Sequence, residues 1–273
     1  MYWRLYMKKL LSVLLSCVMC GTLMLTACDA APEETSGGDA QAPIEEMLVG
    51  RWMSSTIDGE PAVANEKTVF YIVSPSEVYS SVSRVNENRS PWHAPSLTDF
   101  TIDGNVITFT SSPREGIAII REYDITEISD NEFTANFVIT HVRDGEETSE
   151  AARVVTFVRI NDDYSSDIVG TWEGSCTSEG SVFDDGQPHR WEYHDDGTYV
   201  YYVQEGDEWV AHNDGDYFVN GILLCTRWFD GEVDNREWWE ISIDGDTMSW
   251  TALRANDDGT TYTATFEMTR VAE

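Results

Sequence analysis

Positive charge is what this sequence has least of. Across 273 residues, 17 Lys and Arg stand against 49 Asp and Glu, a formal charge of −32. Beyond Lys8 and Lys9 the sole lysine is Lys67. Affinity for nucleic acid is built by neutralising phosphates with Lys and Arg, so the reading excludes a nucleic-acid partner. Anionic lipid headgroups repel such a surface as well. Cysteine is scarce too: Cys17, Cys20, Cys28, Cys176 and Cys225, none of them spaced with histidine as a zinc ligand set. Catalytic motifs are missing. There is no Gly-x-Ser-x-Gly elbow, no Ser-x-x-Lys and no His-Glu-x-x-His. His93, His141, His189, His194 and His212 are scattered and read as polar surface or packing residues. Acidic runs such as Asp184-Asp185, Asp195-Asp196 and Asp214-Gly215-Asp216 lack the spaced oxygens of an EF-hand and read as hairpin turns. The sequence therefore points to no enzyme, no metal and no cofactor. No amphipathic helix is legible beyond a short turn near Met47.

What is present starts at the N-terminus. Lys8 and Lys9 precede an almost wholly apolar run, Leu10 to Leu25, which ends in Leu25-Thr26-Ala27-Cys28. A short basic stretch, an apolar core and small residues before a cleavage point form a secretory signal, and the run is too short for a membrane span. Met7 offers an alternative start. The ending resembles the lipobox of bacterial lipoproteins. That resemblance implies cleavage before Cys28, acylation of its sulfur and an extracytoplasmic protein tethered to the membrane by lipid. Cleavage removes Arg4, Lys8 and Lys9 and no acid, taking the charge from −32 to −35. Residues 28–46 are rich in acids, Pro, Gly, Ser and Thr with little to bury, and read as a flexible linker reaching on the order of 20–25 Å.

The rest of the chain repeats itself. Leu48-Val49-Gly50-Arg51-Trp52 recurs as Ile168-Val169-Gly170-Thr171-Trp172. Phe100–Ile107 matches Asp216–Leu223, and Tyr123–Asp130 matches Trp239–Asp246. Val154–Arg159 matches Ala264–Thr269. Four matches in one order predict a duplicated unit, 47–163 and 164–273. Inside each, alternating β-formers are punctuated by Asp-Gly and Asn-Gly pairs, the signal of hairpins. The fold class is all-β, two tandem antiparallel up-and-down β-barrels.

The aliphatic-x-Gly-x-Trp opening, repeated, with its run of hairpins, resembles the lipocalin or calycin superfamily, and in particular lipocalin-like domains of bacterial lipoproteins. The resemblance implies that Trp52 and Trp172, set by Gly50 and Gly170, pack across one end of each barrel beside a basic residue of the last strand. Arg159 and Arg270 match that partner.

Aromatics concentrate in the second unit, with seven tryptophans against Trp52 and Trp92 in the first. Trp238 and Trp239 are adjacent on a strand and must face opposite ways. Trp239 aligns with core-like Tyr123, so Trp238 is expected to face outward as an exposed platform. Trp191, Tyr193, Tyr199 and Tyr201 extend the candidate ligand-binding set. The partner of such a surface is a small molecule, glycan or protein, and the second unit is the expected binding module; the alternative is a cell-envelope scaffold without a small ligand. Cys176 and Cys225 stay open as either a disulfide or two small buried residues.

Overall fold

The computed structural model describes residues 42–82, 92–176, 187–256 and 258–272. The signal segment, Cys28 and the linker as far as residue 41 lie outside them. Residues 42–273 pack as one compact unit. A one-turn helix, α1 (Ile44–Met47), opens it, so the segment expected to be linker to residue 46 is ordered from Ile44, whose side chain packs on the first core.

Two antiparallel sheets follow. The first contains β1 (Gly50–Ile57), β2 (Glu60–Pro61), β3 (Val69–Ser74), β4 (Glu77–Val82), β5 (His93–Thr98) and β6 (Phe100–Asp103). It continues with β7 (Val106–Arg114), β8 (Ile117–Ile128), β9 (Glu132–Arg143), β10 (Glu146–Ser149) and β11 (Arg153–Ile160). The second contains β12 (Gly170–Cys176), β13 (His189–Tyr193), β14 (Thr198–Glu205) and β15 (Glu208–Asn220). It ends with β16 (Leu223–Asp230), β17 (Val233–Asp244), β18 (Thr247–Ala255) and β19 (Thr261–Arg270).

In the second sheet each strand pairs with the next and β19 returns to β12, giving a closed eight-stranded barrel. The first sheet runs β5-β4-β3-β1-β11-β9-β8-β7-β6, with β2 added to β1 and β10 to β9. Its path matches the barrel strand for strand, with β5 and β6 together standing where β15 stands. β15 is 13 residues long and spans from β14 to β16 without a break. Its counterpart is broken at Asp99, so among the described residues β5 pairs with β4 alone and β6 with β7 alone. Pro95 in β5 has no N–H to give, and β6 has four residues, so little ladder is available to hold the ring shut. Among the described residues the expected first barrel is therefore an open eleven-stranded sheet, while the second half closes.

Each sheet carries the same tie between its first and last strands. Gly50 and Gly170 adopt φ of +134° and +128°, a region that side chains rarely enter. A Cβ on Gly170 would stand 2.6 Å from Arg270 Nη1, and one on Gly50 would overlap Arg159 Nη1 more closely still. Trp52 and Trp172 are fully buried and donate their indole N–H groups to the carbonyls of Leu48 and Ile168, each at 2.7 Å. The guanidinium of Arg159 lies 4.2 Å over Trp52, and that of Arg270 lies 4.1 Å over Trp172. Arg159 also donates to the carbonyls of Val49 and Met47, and Arg270 to those of Val169 and Asp167, at 2.6–2.7 Å.

The outer face of the barrel along β15, β16 and β17 is apolar and covered. Phe218, Cys225 and Trp238 are register neighbours there, and each is at most 5% exposed. They share a cluster with Met53, Ala64 and Val69 of the first half. The ring of Trp92 lies 4.9 Å from that of Phe218. Asn220 donates to Ser81 Oγ at 3.1 Å and to the Val69 carbonyl at 3.4 Å. Lys67, nearly buried, meets Glu240 at 2.7 Å, so the lone lysine beyond the signal segment joins the two sheets. The expectation of an exposed Trp238 is overturned: it does point away from the barrel interior, but it points into the first half of its own chain.

Candidate binding sites

The aromatic residues singled out in the second unit separate into two places. Trp191, Tyr193, Tyr199 and Tyr201 lie on β13 and β14 with register partners that set them on the inner barrel face. Trp238 lies on the outer face, so the five do not form one surface. Inside, Trp191 stacks on Tyr201 at 4.9 Å and meets Trp250 at 4.7 Å. Tyr193 packs edge-on to Tyr217 at 4.8 Å. Trp239, inward as expected, lies 5.5 Å from both Trp250 and Phe266. Small barrels fill themselves with side chains in this way. What remains is a chamber of about 50 Å³ bounded by Trp191, Tyr199, Tyr201, Trp228, Trp239 and Trp250, with Asn213, Thr226 and Glu237 among them.

Glu237 is the chemical centre of that chamber. Removal from water pushes its carboxyl pKa above the usual range, partly offset by Arg254 and by the Trp239 N–H. Oε2 accepts from Trp239 Nε1 at 3.3 Å, and Oε1 lies 3.9 Å from Arg254 Nη2, beyond hydrogen-bond reach. Burial also raises the phenols of Tyr193 and Tyr199, and Glu237, Asp214 and Asp216 add negative potential at Tyr199. Tyr217 is pushed up to about 12 by burial beside Asp196 and Asp195.

The larger cavity is in the first sheet, where the sequence showed no aromatic excess. It measures about 300 Å³. Tyr123, Phe137, Ile139, Val155 and Phe157 make an apolar floor, and Ser54, Asn65, Glu66, Thr68, Glu150 and Arg153 surround it with polar groups. The 3-10 turn Ala64–Glu66 carries part of that rim. Asp58 and Arg153 pair at 3.0 Å beside it, and the Val154 N–H donates to Asp58 at 2.8 Å. Those two contacts, the backbone one first, hold the Asp58 carboxyl below its usual range. Glu150 meets His141 at 2.9 Å. At 300 Å³ the cavity reaches the lower end of the range of pockets that hold drug-sized ligands, whereas the barrel chamber, at about 50 Å³, has room only for a group of a few atoms.

Cys176 and Cys225 both remain thiols. Cys176 sits on β12 and Cys225 on the covered face of β16, strands that are not neighbours, so the disulfide alternative is not realised and both are small buried side chains. Among the described residues no three His, Cys, Asp or Glu side chains converge as metal ligands.

No protein-family model matches this chain, and no curated protein matches it. Among solved structures, it is similar to a DUF3598-family protein of unknown function from Nostoc punctiforme PCC 73102, at 10% identity and a TM-score of 0.26, over 83% of this chain and 97% of that one. It is also similar to the isotype 1 transferrin binding protein B of serogroup B Neisseria meningitidis, at 9% identity and 0.27, over 75% and 63% of the two chains. A double mutant of transferrin binding protein B from Haemophilus parasuis Hp5 gives 8% identity and 0.24, over 76% and 53%.

Proposed function

We propose that this chain is a non-catalytic binding protein, anchored by lipid on Cys28 to the outer side of a bacterial membrane, whose lipocalin-like first half takes a small ligand. The observation that carries this reading is the cavity of about 300 Å³ with its apolar floor and polar rim. An apolar floor supplies affinity through burial, and a few rim groups fix orientation. The absence of nucleophile, base and oxyanion motifs in the sequence supports a binding role over a chemical one.

Filling the cavity tests the reading. Ile139→Trp puts a large ring on the floor from a partly buried position. Wild-type protein purified natively should carry, or take up from a panel of small amphiphiles, a molecule identifiable by mass spectrometry. The variant should lose it at least tenfold while its circular dichroism and melting are unchanged. If neither form holds a ligand, the envelope-scaffold reading leads, and the self-filled barrel supports that second reading.

The anchor has its own test. Cys28→Ser should move the protein from the membrane fraction to the soluble one or leave an uncleaved precursor. A mature-length, unlipidated chain that still sediments fully with membranes would overturn lipid anchoring.

A further inference from the structure

We propose that the aromatic chamber of the second barrel binds a small organic ammonium ion through the Glu237 carboxylate. The inference is independent of the first-sheet cavity. An ionised carboxylate offers about four acceptor positions. At Glu237 one is taken, by Trp239 Nε1 at 3.3 Å, and the nearest cation, Arg254, stops at 3.9 Å with its guanidinium 4.4 Å over the Trp239 ring. In the same wall the side-chain oxygen of Asn213 is buried without a hydrogen-bond partner. The Asn213 oxygen is thus held short of a donor, which is costly inside a protein unless something supplies an N–H group, and Glu237, whose side chain is 23% exposed, keeps acceptor positions open.

The surroundings select the kind of donor. Trp191, Tyr199, Trp228 and Trp250 line the chamber, and aromatic rings attract a positive charge brought over their faces. Asp214 and Asp216 add to the negative potential felt at Tyr199. An anion would be repelled by Glu237, and an apolar molecule would leave the Asn213 oxygen unpaired and the open positions of Glu237 unused. A hydrated divalent metal demands several oxygen ligands, and the chamber has one carboxylate. About 50 Å³ admits a head group of methylammonium size, and the chain's charge of −32 raises the local concentration of cations.

The test uses the full chain in detergent, with methylammonium chloride as the probe and the chamber's own tryptophans as the fluorescent reporter. Methylammonium should give a saturable change with affinity at least tenfold above that of sodium at equal ionic strength, and methanol, its neutral isostere, should give none. Glu237→Gln, which keeps the shape and removes the charge, should weaken methylammonium at least tenfold with the fold retained by near-ultraviolet circular dichroism. If Glu237→Gln does not fold, Asn213→Ala takes its place, with weakening again expected. A response matched by sodium or methanol, unchanged affinity in the folded variant, or no response in wild type (water alone in the chamber) overturns the proposal.

Discussion

Trp238→Ala is expected to destabilise the protein by about 3–5 kcal/mol, as much as Trp239→Ala, which opens a cavity of the same kind. The two side chains are adjacent, face opposite ways and are 3% and 1% exposed. Trp239 sits among Trp250 and Phe266 in the barrel interior. Trp238 sits in the seam where Phe218 and Cys225 meet Met53, Ala64 and Val69. Truncating either removes a bicyclic ring from a packed site and leaves a void that the neighbouring strands cannot close without giving up register. Alternation along a strand, taken alone, leads to a different result: no more than about 0.5 kcal/mol for an outward residue. Denaturant unfolding of the two single variants separates the alternatives. Equal losses near 3–5 kcal/mol place the seam among the main stabilising contacts. A Trp238→Ala loss below about 1 kcal/mol would mean that the outer barrel face is not covered.

That contrast marks how far the residues alone could lead. A period of two assigns faces, and it correctly sent Trp239 inward and Trp238 outward; it carries no information about what lies against the outer face. Many of the strands were legible because they are bounded by turns needing positive φ, as at Gly104, Gly221 and Gly245. The repeat was legible because corresponding stretches serve corresponding strands, Tyr123 on β8 and Trp239 on β17. The break at Asp99 was not, because closing a ring depends on one continuous strand in register with two neighbours, and a single Asp between β-formers looks like many others. The first-sheet cavity was hidden for a related reason. Its floor is assembled from Tyr123, Phe137, Val155 and Phe157, which stand on three strands and share no local pattern. Glu237 was one acid among 49 until the barrel turned it inward. Aromatic abundance pointed to the second half as the binder, but rings numerous enough to mark a barrel also fill it.

Arg270→Ala should cost about 2–4 kcal/mol, and Arg270→Lys should recover less than half of that. Arg270 makes two charge-assisted hydrogen bonds, to the carbonyls of Val169 and Asp167, each contributing about 1.5–3 kcal/mol before the entropy of ordering the side chain is subtracted. Its guanidinium over Trp172 adds about 0.5–2 kcal/mol. Asp246, 3.6 Å from Arg270 and 81% exposed, contributes little. A lysine ammonium is a point charge that cannot fork to two carbonyls while lying flat on an indole, which is why the conservative change is expected to fail. Gly170→Ala gives an independent check without touching the arginine. Its Cβ would occupy space 2.6 Å from Arg270 Nη1 at a φ of +128°, forcing the guanidinium off Trp172 and straining the backbone together. Urea unfolding of the three variants should therefore rank Arg270→Ala and Gly170→Ala as similarly damaged and Arg270→Lys as only slightly better. A harmless Gly170→Ala, or full rescue by lysine, would show that charge near the strand end is sufficient and that the two-pronged tie between first and last strands is not what holds the barrel's entry.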